Sequence, residues 1–166
     1  MAQSFLSRLA WALALWLSQG LVFNQIHLGG YATPVAYVYV LCLQPLNASR
    51  SEWLLWGFAM GLAADFFTAT PGLGAASMTL AALAAPRLLG LFAPKDCVED
   101  LVPGFRVLRW KYVWYVSLLV LLQQGAALAL EFFSFSNAPD MLYTYLGSSA
   151  LTVALILAMD KMRGGK

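Results

Sequence analysis

Two carboxylic acids, Asp65 and Glu131, interrupt long apolar stretches of this chain. An ionisable side chain in apolar surroundings must face water, give up its charge, or be held by hydrogen bonds. Asp65 has donors close by for the third course. Thr68 and Thr70 offer hydroxyls, and the amides near Gly72 to Gly74 are free at the start of a new helix. We read Asp65 as a structural acid that pins a sharp turn, for which Pro71, Gly72 and Gly74 supply the backbone. The alternative is a proton or cation site shared by Asp65 and Glu131. We read Glu131 instead as reaching a lipid headgroup region.

Gly57, Gly61 and Asp65 are spaced by four and share one helical face. Glycines at that spacing let a second helix approach closely, either from this chain or from a partner protein. Catalysis has little to work with. His27 is the only histidine, Cys42 and Cys97 match no zinc or disulfide pattern, and no serine-nucleophile motif is present. The residues therefore point to no enzyme, no metal and no cofactor.

The elements that position these residues follow from composition. Of 166 residues, 61% are hydrophobic and only 11% are charged, against roughly 25% charged in a soluble domain. Such a chain suits lipid. Six apolar segments are expected as helices over about 6–26, 33–46, 53–67, 73–92, 112–133 and 141–159, in a single transmembrane domain. The second and third fall below the roughly 17 residues of a usual span. The first reads as a retained helix rather than a cleaved signal, because no small-residue cleavage site follows its apolar core.

The ten basic residues orient the bundle. With both ends inside, Arg8, Arg50, Lys95, Arg106, Arg109, Lys111, Lys161, Arg163 and Lys166 all lie in inner connections or the tail, and Arg87 lies near the inner end of the fourth helix. None falls in the outer connections, so the positive-inside rule gives an N-in/C-in, all-α, six-helix bundle. It also leaves Asp65 without a basic partner on the outer side, at a helix C-terminus whose dipole disfavours negative charge. The longest connection, an inner loop over about 93–111, ends in basic residues interleaved with apolar and aromatic ones. Arg106, Arg109, Trp110 and Lys111 there suit an anionic membrane surface rather than nucleic acid. Gln123 and Gln124, mid-membrane, are expected to hydrogen-bond another helix.

The stretch Gly57-Phe58-Ala59-Met60-Gly61-Leu62-Ala63-Ala64-Asp65, followed by Pro71-Gly72-Leu73-Gly74, resembles the marker of the MreD family of rod shape-determining membrane proteins. Sharp similarity covers Gly57 to Ala76. Length, helix count and loop placement extend it, and Glu131-Phe132-Phe133-Ser134-Phe135-Ser136 looks most like Bacteroidetes-type members. The resemblance implies a non-enzymatic component of the cell-elongation (rod) complex in the bacterial inner membrane. It implies binding to MreC, indirect connection to MreB, RodA and a penicillin-binding transpeptidase, and regulation of cell shape and peptidoglycan synthesis. It suggests that the Gly57/Gly61 face receives the MreC helix and that a basic residue of MreC pairs with Asp65. MreD-like bundles also resemble the substrate-binding components of energy-coupling-factor vitamin transporters, which meet their energising subunit through small-residue motifs on the first helix. Ala10 and Ala14 have that spacing, and such a component is the alternative function.

Overall fold

The computed structural model describes residues 2–21, 34–68, 70–93, 102–131 and 138–163. Among them every regular element is helical. The elements are α1 (Ala2–Leu21), a 3-10 turn (Ala36–Val38) running into α2 (Tyr39–Cys42), α3 (Arg50–Thr68), α4 (Leu73–Phe92), α5 (Phe105–Leu108), α6 (Trp110–Glu131) and α7 (Ala138–Arg163). Leu73–Phe92, Trp110–Leu130 and Tyr145–Met162 are each long and apolar enough to cross a membrane. Many of their large apolar side chains turn outward. Leu80, Leu83, Leu91, Trp114 and Leu146 are exposed, while Ser77, Ala81, Ala82, Ala85, Gln123 and Thr152 are buried. A bundle that buries small and polar residues beside Met78, Tyr112, Leu119 and Ile156, and turns many leucines outward, is consistent with a membrane protein.

The second apolar segment departs from expectation. Instead of a helix over 33–46, the described part of the segment, from residue 34 on, is helical only over 36–42. They rise about 12 Å, against about 30 Å of hydrocarbon in a bilayer. The segment is a buried plug. Residues 36–43 are buried throughout, wrapped by α1, α3 and α7. Its exposed backbone groups are met by side chains of two of those helices. The Gln19 side-chain amide donates to the Pro34 carbonyl at 3.1 Å and its oxygen accepts the Ala36 amide at 2.8 Å, while Thr152 accepts the Val35 amide at 3.0 Å. Hydropathy registers burial in protein and burial in lipid alike, so the sequence pattern could not separate a plug from a short span.

The third segment is longer than its apolar core. α3 begins at Arg50 because Ser49 caps it, its hydroxyl accepting the Glu52 amide at 3.2 Å. Across the other connection, α4 starts after Gly72, whose φ of +92° is left-handed and favours glycine. Within the expected inner loop, α5 forms and α6 begins at Trp110. α4 is the central helix, packed by α3 on one side and α6 on another, with α7 against α6 and α1 against α3. His27, Lys95 and Cys97 lie outside the described residues, as do the side chains of Arg106 and Glu131.

Candidate functional site

The α3–α4 hairpin is built on close backbone approach. A Cβ placed on Gly57 would lie 2.5 Å from the Ala82 Cβ and 2.9 Å from the Met78 carbonyl. One on Gly61 would overlap the Gly74 carbonyl and lie 2.7 Å from the Ala75 Cα, and one on Gly74 would lie 2.5 Å from the Asp65 Oδ1. Each distance is below what a real methyl tolerates. The glycine face is thus filled by α4. This corrects the expectation that Gly57 and Gly61 receive a partner's helix: the groove they make is closed from within the chain.

At the turn, the Asp65 carboxylate accepts three backbone amides. Gly72 and Ala75 donate to Oδ2 at 3.0 Å each, and Gly74 donates to Oδ1 at 2.6 Å. Leu73 donates to the Thr70 carbonyl at 3.3 Å, and Ala76 makes the first helical bond, to Gly72, at 2.9 Å. The orphan amides at the start of α4 are therefore all met. Asp65 sits at the C-terminal end of its own helix, where the dipole opposes it. It also sits against the N-terminal end of α4, where the dipole favours it. The pairing problem posed by a buried acid without a basic neighbour is solved by these amides, and a partner's basic residue is not needed for it. Thr68 and Thr70 do not reach the carboxylate. They bond each other at 2.7 Å, and Thr68 donates to the Ala64 carbonyl at 3.3 Å. Pro71 and Gly72 are exposed at the turn's tip.

A second buried acid was not singled out by sequence reasoning. Asp160, near the C-terminal end of α7, is 6% exposed, as is Asp65. Its Oδ2 accepts the Phe105 amide at 2.7 Å and its Oδ1 accepts the Tyr39 hydroxyl at 3.4 Å. It ties α5 and α2 to α7 at the opposite end of the bundle. The only sequence signal was an acid in the last turns of an apolar helix, beside Lys161. At that same end Arg8 donates to Gln44 at 2.7 Å and to Glu52 at 2.9 Å, joining α1 to α3.

Between the two ends, Gln123 donates to Ser77 at 3.3 Å, a bond from α6 to α4. Gln124, expected to do the same, has no partner for its side-chain nitrogen among the described residues. Arg109, Trp110 and Lys111 are exposed, beside the exposed Phe105 and Val107. No cluster of potential metal ligands occurs among the described residues. Both Asp65 oxygens are committed to amides in a buried site, so its chemistry is that of a latch closing a hairpin. No family model, no curated protein and no solved structure matches this chain.

Proposed function

We propose that this chain is a multi-pass protein of a bacterial inner membrane, with both ends inside, and that it acts without catalysis as the MreD-type component of the cell-elongation complex. In this reading it binds MreC and helps set where peptidoglycan is made. One observation carries the reading. The residues that resemble the family marker, Gly57, Gly61, Asp65, Gly72 and Gly74, form one physical unit, the glycine-packed and acid-latched hairpin. A motif that builds a rigid hairpin is suited to presenting a fixed surface to a partner. Because α4 occupies the glycine face, the MreC helix docks on a lipid-facing surface of the bundle. The exposed Phe105, Val107, Trp110 and Lys111 support a membrane-surface segment at the inner end.

The second reading, a substrate-binding component of an energy-coupling-factor transporter, is favoured by Ala10 and Ala14, both exposed on α1. Purification of the tagged full chain from its native membranes, followed by mass spectrometry, separates the two. Recovery of MreC supports the elongation reading. Recovery of a transporter ATPase with its membrane coupling subunit, and no MreC, overturns it.

A further inference from the structure

The antiparallel α3–α4 hairpin brings Arg50, the first residue of α3, and Arg87, near the end of α4, to the same end of the bundle. Both are exposed, and neither has an ion-pair partner among the described residues. The nearest acid on α3, Glu52, is already paired with Arg8 at 2.9 Å. Both arginines line a cleft of 170 Å³ with Leu54, Ala82, Leu83 and Pro86. Leu54 and Leu83 also line a second, open groove of 530 Å³ that continues along the outer face of the hairpin past Phe58, Ala76 and Leu80 to Gly72. One continuous channel therefore has two positive charges at its mouth, neither ion-paired among the described residues, and hydrocarbon along its length.

From Arg87 to Ala76 the helix rises about 16 Å, close to the roughly 15 Å half-thickness of a bilayer's hydrocarbon core. Phe58, Leu80 and Leu83 are about half exposed, at 50%, 50% and 47%, so the groove wall is available to an acyl chain. Guanidiniums are the side chains best suited to a phosphate with a net negative charge, and two arginines line this one cleft. A zwitterionic headgroup brings its own cation to the same place and gains less. A membrane-spanning partner helix would fill the groove yet leave the arginines unsatisfied, which disfavours it. We infer that this groove is a binding site for one anionic phospholipid, its phosphate held by Arg50 and Arg87 and one acyl chain lying along Leu54, Leu83, Leu80 and Ala76.

Native mass spectrometry of the detergent-purified full chain tests the site, with dioleoyl phosphatidylglycerol and dioleoyl phosphatidylcholine as probes. The wild-type protein retains the phosphatidylglycerol at least about tenfold better, as two basic residues at a headgroup would give. Arg50→Gln with Arg87→Gln removes that preference but keeps weak binding of both lipids. Ala76→Phe, at an exposed position of the groove wall, weakens both. Lys161→Gln, an exposed cation elsewhere at the same end, changes neither. The proposal is overturned if the double variant keeps the preference, if Ala76→Phe binds both lipids as the wild type does, if Lys161→Gln lowers the preference as much, or if excess inorganic phosphate displaces the phosphatidylglycerol, which would mark a phosphate site rather than a lipid site.

Discussion

The two ends of this bundle solve one problem in two ways. At each, a buried aspartate accepts the amides that open a helix. Asp65 holds three amides at the start of α4, seven to ten residues later in the chain. Asp160 holds a single amide, that of Phe105, from across the fold, with a longer bond from Tyr39 at 3.4 Å. The first latch is local, closes on glycines and leaves both oxygens engaged in a buried site. The second is a long-range clamp on the four-residue α5. A local latch forms with its hairpin at small loop-closure cost, whereas a clamp of high sequence separation forms only after the helices have assembled. The hairpin end is therefore the stiffer of the two, and the clamp end the first to open.

Substitutions ranked by effect test that contrast. Gly61→Leu drives a side chain into the α4 backbone and should lower stability by more than about 4 kcal/mol, or prevent folding, in mixed-micelle unfolding experiments. Asp65→Ala strands the buried Gly74 and Ala75 amides and should cost about 3 kcal/mol. Asp160→Ala strands one partly buried amide and removes the long 3.4 Å bond from the Tyr39 hydroxyl, and should cost about 1–2 kcal/mol. If Asp160→Ala proved more damaging than Asp65→Ala, the ordering of the two ends would be reversed. The smallest effect has the opposite sign. Arg109 has a φ of 48°, a conformation glycine adopts without strain, so Arg109→Gly should raise stability by about 0.5–1 kcal/mol at the clamp end only.

The same contrast explains what could be read from the sequence. Asp65 and its turn were legible because donors and acceptor lie within ten residues, and the glycines announce close backbone approach. Asp160 was not, because Phe105 and Tyr39 are 55 and 121 residues away, and no local pattern encodes such pairs. The glycine face was seen as a packing surface, but its occupant was not, since spacing says nothing about which helix arrives. The plug over 36–42 carries the composition of a span, yet Gln19 and Thr152 supply the bonds that a spanning helix would make internally. Elsewhere the long helices follow the apolar segments, with α4 realised over 73–92.

The account stands most directly on the claim that Asp65 holds the first turn of α4. Amide hydrogen exchange of the micelle-bound protein, resolved at Gly74, Ala75 and Phe105, measures it. In the wild type, Gly74 and Ala75 should exchange far more slowly than Phe105. In Asp65→Ala, exchange should accelerate by about 100-fold, the equivalent of roughly 3 kcal/mol, at Gly74 and Ala75 while Phe105 keeps its rate. Wild-type exchange at Gly74 and Ala75 as fast as at Phe105, or rates at those two amides unchanged by Asp65→Ala, would contradict the latch.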